Sequence, residues 1–142
     1  MQRTTNHPPK RIADWVALGA LILVWAVVAI SWHRLPAQVP HHFGLNGEPD
    51  GWGSRALILM LPALALVSYL TRVPGSAPSV AREFSDVFRA VVLIGFAWST
   101  IAVVRIATGK ANSLGEWFAP CLFLSIVATG VWFTLRSRND LP

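Results

Sequence analysis

Four long apolar segments constrain the fold of this chain more than any other feature. They are 18, 16, 15 and 19 residues long, and none contains Asp, Glu, Lys, Arg or His. A helix needs roughly 20 apolar residues to cross about 30 Å of hydrocarbon, and flanking turns bring the shorter segments to that length. The sequence therefore predicts a membrane protein with several crossings, at residues 15–32, 56–71, 90–104 and 117–135.

Composition favours a membrane protein over a soluble or disordered one. Apolar residues make up 54% of the 142 residues and charged residues 13%, about half the charged share of a soluble domain. Disorder needs the opposite balance. The net charge of +5 comes from basic residues at the ends of the apolar segments. We therefore expect the lipid bilayer, and not nucleic acid, as the direct partner.

The predicted fold class is all-α integral membrane, an antiparallel four-helix transmembrane bundle with a structured Pro/Gly-rich extracytoplasmic loop. We expect helices near 12–33, 55–72, 80–108 and 114–136. The chain then divides into a cytoplasmic tail 1–11, a helix pair 12–72 containing loop 33–55, and a second helix pair with a cytoplasmic tail, 73–142. Helix N-terminal signals occur at Ser54, at Ser79, and at Ser113 with Glu116. Helix contacts are expected at small residues, namely Gly19, Ala20, Gly95 and Gly130.

Basic residues are distributed unevenly between the two sides of such a bundle. Eight Lys and Arg residues fall in the two tails and the loop 72–89, whereas four fall in the loops 33–55 and 105–116. Because cytoplasmic loops are enriched in Lys and Arg, we predict a multi-pass protein of the cell (cytoplasmic) membrane with both termini cytoplasmic. Four arginines should form a basic patch that attracts anionic lipid or a cytoplasmic regulator, namely Arg82, Arg89, Arg136 and Arg138.

Pro62 and Pro120 each fall well inside a predicted helix. A proline in a helix interior removes a hydrogen bond and kinks the helix. Proline is common in membrane helices, so packing alone can account for both. The alternative is that two kinks in the same layer open a pocket beneath the first external loop.

The segment between the first two helices, residues 35–55, is rich in residues with special backbone preferences. Its prolines, Pro36, Pro40 and Pro49, favour extended backbone. Glycines such as Gly47 permit tight turns. We predict an extended stretch at 39–43, a turn at 44–47 and a return to the second helix, with Phe43 and Trp52 covering the helix tops. This composition indicates one defined shape.

The apolar segments contain no arrangement typical of an enzyme or a pump. They hold no acidic pair and no Ser/His or Ser/Lys combination, and the chain has no HExxH motif. Buried ionisable groups usually mark such functions in membranes. Asp14 comes nearest, but it lies at a helix N-terminus beside Lys10 and Arg11, where we expect a structural role. We therefore expect no enzymatic activity, no catalytic residues and no cofactor.

Four polar residues of the loop, His41, His42, Glu48 and Asp50, raise the question of a metal site. Adjacent histidines point in different directions on an extended chain, so only one of them readily joins Asp50. We therefore expect no bound metal and instead a structural hydrogen-bond role for His42 and Asp50 that ties the loop to itself. Contact of these residues with a ligand or partner is the alternative. A loop-closing pair of Asp50 with Arg55 is a further option.

The loop also resembles the signature of the DUF1648 family. That signature reads LP-xx-[IV]P-x-HF-xxx-G-x-PD, then a small or aromatic stretch, Ser and a basic residue. Its counterparts here are Leu35-Pro36, Val39-Pro40, His42-Phe43-Gly44, Gly47, Pro49-Asp50-Gly51-Trp52 and Ser54-Arg55. The family includes the N-terminal part of the immunity and signalling protein for the sporulation-delaying-protein toxin. That member protects its cell from a secreted membrane-active toxin and recruits a small autorepressor.

The resemblance implies a non-enzymatic membrane protein of toxin immunity or envelope signalling, acting through its outer loop. Two alternatives are an accessory or structural subunit of a membrane complex, and a metal-dependent membrane enzyme using His42 and Asp50. The expected partners are a peptide toxin, a cytoplasmic regulator, or further copies in a membrane oligomer. Residues expected to contact a ligand or partner, or to shape the loop, are Pro36, Pro40, His42, Phe43, Gly47, Pro49, Asp50, Trp52 and Arg55.

Overall fold

The computed structural model describes residues 12–44, 46–71, 76, 79–115 and 117–139. The predicted tail 1–11 and Glu116 lie outside the described residues. Short 3₁₀ turns follow the first helix at Trp32–Arg34 and precede the second at Arg55–Leu59. The other elements, in chain order, are α1 (Ile12–Ser31), β1 (Gln38–Phe43), β2 (Pro49–Ser54), α2 (Met60–Leu70), α3 (Ser79–Ala107) and α4 (Phe118–Asn139).

Helices α1, α2 and α3 pack around a core of alanines and branched apolar residues. Ala17 and Val24 of α1, Ala65 of α2 and Leu93 of α3 are fully buried in one cluster. Alanine lets helix backbones approach closely, which matters where lipid removes the hydrophobic drive for association. The interface between α1 and α3 is the most extensive of the helix interfaces. These two helices therefore form the centre of the molecule.

A second apolar cluster attaches the hairpin of β1 and β2 to the helices. Val39 of β1 is fully buried and packs with Val28 near the end of α1, Ile58 before α2 and Val103 near the end of α3. The end of α1, the start of α2 and the end of α3 thus meet at the hairpin. We call this the hairpin end of the bundle.

The hairpin itself is antiparallel and irregular. Its register runs from Gln38 opposite Ser54 to Phe43 opposite Pro49, with irregularities between 40 and 43. Because Pro40 has no N–H for the ladder, a bulge beside it is expected. The amide of Gly47, whose φ is 76°, donates to the Gly44 carbonyl at 2.9 Å. The predicted extended stretch and turn are confirmed, and β2 is an additional strand.

The two helical prolines occupy first turns and kink no helix interior. Pro62 is the third residue of α2, and Pro120 is the third residue of α4. A proline ring clashes with the carbonyl four residues earlier in an α-helix, so the helix begins within the preceding few residues. This is why α2 and α4 start later than the predicted residues 55 and 114. Ser54 accepts a hydrogen bond from the Ala56 amide at 3.4 Å. It therefore caps an N-terminus as predicted, although the element that it caps is the 3₁₀ turn and not α2.

Three of the described helical segments are long and apolar enough to cross a membrane, Ile12–Arg34, Ser79–Ala107 and Pro120–Ser137. The fourth predicted crossing corresponds to a shorter apolar helix, Arg55–Leu70. The molecule is therefore mostly helical with three candidate spans and a small two-stranded sheet. Among the small residues, Ala20 is buried and Gly95 faces Leu122 across the α3–α4 contact. Gly19 and Gly130 face open space, contrary to prediction.

Candidate functional site

A side-chain pair on the hairpin joins its two strands. Nδ1 of His42 donates to Oδ1 of Asp50 at 2.5 Å, and both side chains are more than half exposed. This contact agrees with the expected hydrogen-bond role of the two residues within the loop. Because it lies on the exposed face of the hairpin, it displays an imidazole and a carboxylate side by side.

The turn of the hairpin is fixed by local polar contacts and by the loop after α3. Asn46 accepts from the Glu48 amide at 3.1 Å and donates Nδ2 to the Glu48 carboxylate at 2.8 Å. The Leu114 amide donates to the Gly47 carbonyl at 2.9 Å. The hairpin turn and the α3–α4 loop therefore form one surface at the hairpin end.

Arg55 interacts with an aromatic ring instead of with Asp50. Its guanidinium lies 5.1 Å from the ring centroid of Trp32, a cation–π distance. Asp50 faces His42 in the opposite strand, so the predicted Asp50–Arg55 pair does not form. Phe43 packs against the second apolar cluster, as predicted, whereas Trp52 is 48% exposed and does not cover the helices.

The three loop prolines differ in burial. Pro40 is buried at the base of β1, Pro49 is half-buried and Pro36 is exposed. Pro40 therefore belongs to the packed base of the hairpin, beside the fully buried Val39. The signature residues thus divide into a packed set, which includes Pro40 and Phe43, and an exposed set, which includes His42 and Asp50.

A cavity of about 340 Å³ lies beneath the hairpin, between β1, the start of α2 and the end of α3. A volume of this size is at the lower end of the range of small-molecule sites. His41 and Ser99 supply its polar side chains. The other lining residues are Pro40, Phe43, Leu57, Ile58, Met60, Leu61, Leu64, Val103 and Leu114.

Two glycines of β2 make room for the roof of this cavity. A Cβ on Gly53 would lie 3.2 Å from Nδ1 of His41 and 2.5 Å from a methyl of Leu57. A Cβ on Gly51 would lie 2.8 Å from Cβ of His42. Because real Cβ contacts are almost never this close, side chains at 51 or 53 would displace their neighbours. The glycines let β1 side chains lie against the β2 backbone.

An ionic cluster at the opposite end of the bundle was not predicted. Arg89 of α3 is 4% exposed, and its Nη2 donates to Asp14 of α1 and, at 3.1 Å, to Asp86 one turn earlier. Tyr69 of α2 lies beneath the guanidinium, with its ring centroid at 5.7 Å. Three helices therefore meet at one buried arginine, and we call this the Arg89 end of the bundle.

The sequence signal for this cluster was present but incomplete. Asp14 and Arg89 were both recognised at segment ends, yet they are 75 residues apart. Their contact follows only from the packing of α1 against α3. Within the described residues, Nε and Nη1 of Arg89 have no hydrogen-bond partner. Such a site inside a membrane protein carries a high energetic cost and often a function.

The predicted basic patch is smaller than expected. Arg89 is buried in the ionic cluster and does not join the surface, because two carboxylates hold its guanidinium inside. Arg136 is half-exposed, 3.5 Å from Glu83 and over the ring of Trp132. Arg82 is partly exposed on α3, and the side chain of Arg138 lies outside the described residues.

A metal site is not formed within the part of the chain that the structure describes. No group of three or more His, Cys, Asp or Glu side chains there is placed to hold a metal ion. His42 and Asp50 direct their facing atoms at one another. What the hairpin offers chemically is hydrogen bonding at its tip and an apolar volume beneath its base.

A family model matches the part of the chain that contains the signature. Residues 19–66 match the family described as "Domain of unknown function (DUF1648)". This segment contains most of α1, the hairpin and the first half of α2. The chain therefore combines helices that are apolar enough to cross a membrane with a segment similar to DUF1648.

Two relatives match a larger part of the chain. An uncharacterized protein of Archaeoglobus fulgidus is 47% identical over 115 residues, which are 78% of this chain and 58% of that protein. The Piezo-type mechanosensitive ion channel component of Drosophila melanogaster is 31% identical over 127 residues, 84% of this chain and 4% of that protein. The chain thus spans less than two thirds of the length of either relative. No solved structure matches it.

Proposed function

We propose that this chain is a non-enzymatic protein of the cell membrane that recognises a membrane-active peptide at its hairpin, as in toxin immunity or envelope signalling. The observation that carries the proposal is the division of the hairpin into packed residues and exposed polar residues. Val39 is fully buried, whereas His42 and Asp50 are exposed. Packed residues hold the exposed ones in place, and ordering a loose loop on binding would cost affinity.

The proposal includes four membrane crossings with both termini in the cytoplasm. Arg55–Leu70 extends about 26 Å, at about 2.0 Å per 3₁₀ residue and 1.5 Å per α-helical residue. That length is close to the roughly 30 Å of hydrocarbon. Tyr69 at the end of α2 lies at Arg89, while Ile58 before α2 lies at the hairpin end. Helix α2 with its 3₁₀ turn therefore runs between the same two ends as α1.

A cytoplasmic regulator is the second partner in this proposal. With the hairpin outside, the start of α3 and the end of α4 face the cytoplasm, and Phe84 of α3 packs on Phe133 of α4 at 4.5 Å between ring centroids. Arg82 and Arg136 flank this contact on the same two helices. Arg136 pairs with Glu83 at 3.5 Å and is half-exposed, so its positive charge is partly offset there, and the rest would attract an acidic protein surface.

Substitution of the hairpin pair tests the proposal. Each of His42→Ala and Asp50→Ala removes one partner of an exposed contact, and an exposed pair contributes only about 0–1 kcal/mol. We expect membrane abundance near the unsubstituted level and a loss of protection against a model cationic amphipathic peptide applied to growing cells. Abundance is measured by immunoblotting of membranes, and protection by the growth of cells with and without the chain.

Gln38→Ala is the matched control, because Gln38 is also exposed on β1 but lies at its base. The control should keep both abundance and protection. A loss of abundance in parallel with protection would make the pair structural. Full protection in both variants would contradict recognition at the hairpin.

A second candidate function is an accessory subunit of a membrane complex. The observation in its favour is α4, where 6% of the 18-residue apolar window is buried inside the chain. Phe123, Leu124 and Val131 are each more than half exposed along this helix. A partner helix, or a second copy in an oligomer, would cover that surface. Co-purification of a membrane partner in a fixed ratio would favour this candidate.

A further inference from the structure

We propose that the cavity beneath the hairpin binds one alkyl chain of a membrane lipid, which enters from the bilayer across the surface of α2. This inference uses the membrane-spanning arrangement and does not depend on peptide recognition at the hairpin tip. It assigns a ligand class to a cavity that the hairpin pair does not use.

The chemistry of the walls selects an apolar occupant. Among the lining residues, His41 and Ser99 alone carry a polar side-chain group, whereas an ordered water needs two to four polar partners. Ile58 and Val103, 2% and 5% exposed, form the inner wall. A flexible hydrocarbon chain gains contact with these walls and loses no hydrogen bonds on leaving the bilayer.

The mouth of the cavity opens on the side that faces lipid. Met60 and Leu64 line the cavity, yet they are 56% and 47% exposed on the outer surface of α2. They are one helical turn apart and so lie on one face of the helix. The cavity is therefore continuous with an apolar surface that contacts hydrocarbon. Lipid chains are already concentrated at that surface, which makes them its natural occupant.

The hairpin forms the roof of the cavity and limits how far a lipid alkyl chain can extend into it. His41 is exposed at the rim, and its ring lies against the β2 backbone because Gly51 and Gly53 leave space for it. In the proposed arrangement of membrane crossings, the hairpin lies outside the hydrocarbon layer, so His41 lies at headgroup level. Its ring nitrogens can hydrogen-bond an ester or phosphate oxygen there. An alkyl chain in the cavity, together with a hydrogen bond at His41 above it, corresponds to a lipid that is bound near its glycerol backbone.

Photo-crosslinking tests the proposal on the full chain in vesicles. The probe is a phosphatidylcholine with a diazirine midway along one acyl chain, and adducts are located by mass spectrometry. Lipid surrounding the protein labels exposed positions such as Leu66 and Leu124. A chain inside the cavity labels Ile58 and Val103, which are shielded from surrounding lipid. We expect adducts at both classes of position; adducts at exposed positions alone would overturn the proposal.

Two variants of one helix make the test specific. Leu64→Trp blocks the mouth and should lower adducts at Ile58 and Val103 by about tenfold, equivalent to about 1.4 kcal/mol of lost binding. Leu66→Trp is the matched control, because Leu66 is also exposed on α2 but does not line the cavity. It should leave the inner adducts unchanged. Equal adducts in the two variants would overturn entry at Leu64.

A roof variant and a peptide arm complete the test. Gly53→Ala pushes Leu57 and His41 into the cavity and should lower the inner adducts without blocking the mouth. Unchanged inner adducts in this variant would contradict binding beneath the hairpin. Adding the model cationic amphipathic peptide should leave the inner adducts in place. If the peptide removes them, and a diazirine-bearing form of the same peptide is captured at Val103, the cavity is a peptide site and the lipid proposal fails.

Discussion

A single side chain, Arg89, shows how burial changes the role of a charge. In the sequence it directly precedes the apolar segment 90–104. A long basic side chain at such a position normally extends toward the headgroups. In the structure it is 4% exposed and shared by Asp14 and Asp86. Breaking a buried ion pair leaves an uncompensated charge, so its removal costs more than the pair contributes.

Substitution of Arg89 measures that cost. Arg89→Gln leaves two carboxylates without their cation and should destabilise the folded chain by about 3–5 kcal/mol. The double variant Asp14→Asn with Arg89→Gln removes one of those charges and should recover part of the loss. Thermal unfolding of the purified chain in detergent, followed by circular dichroism, provides the measurement. A loss in the double variant equal to the sum of the separate losses of Asp14→Asn and Arg89→Gln would show that Asp14 and Arg89 are not coupled.

At the scale of the elements, the hairpin was predictable and the helix starts were not. Pro40 and Gly47 fixed the extended stretch and the turn by backbone preference alone, which acts locally. The starts of α2 and α4 depended on how Pro62 and Pro120 sit in their helices. The apolar pattern runs on through residues 55–59 and does not distinguish a 3₁₀ turn from an α-helix. The ends of elements were therefore less predictable than their order.

The turn glycine offers an element-level test. Gly47 has φ of 76°, a left-handed conformation that costs a residue with a Cβ about 1–2 kcal/mol. Gly47→Ala should therefore loosen the hairpin and raise hydrogen exchange of the Leu114 amide, which donates to the Gly47 carbonyl. Gly19→Ala is the control, because Gly19 lies in α1 with open space around its Cα and alanine favours helix. Equal exchange in the two variants would contradict a strained turn.

For the whole molecule, the apolar segments predicted the class of protein but not which contacts hold it together. The sequence identified the apolar segments and the hairpin, since length and composition define them without tertiary information. The cavity and the Arg89 cluster arise where residues far apart in the chain come together: Ser99 and Pro40 line the same cavity, and Arg89 pairs with Asp14. Neither meeting leaves a periodic or motif signal in the sequence.

Reporter fusions test the proposed topology of the whole molecule. A fluorescent protein folds in the cytoplasm and stays dark after export through the general secretory route. Fused after Pro142 it should fluoresce, whereas alkaline phosphatase inserted after Asn46 in the hairpin turn should be active outside the membrane. The positive-inside distribution is the physical reason for both expectations. A dark but expressed fusion at Pro142 would reverse the orientation.

The separation of Asp14 from Arg89 also has a consequence for biosynthesis. Helices enter the membrane in the order of translation, and 75 residues separate the carboxylate from its guanidinium. At about 5–20 residues per second, ribosomes need about 4–15 s to make that stretch. During this interval Asp14 of α1 lacks its partner Arg89, so the depth of α1 in the membrane is not yet fixed. The arrival of α3 then fixes α1 in place, and insertion of the first helix is completed by the third.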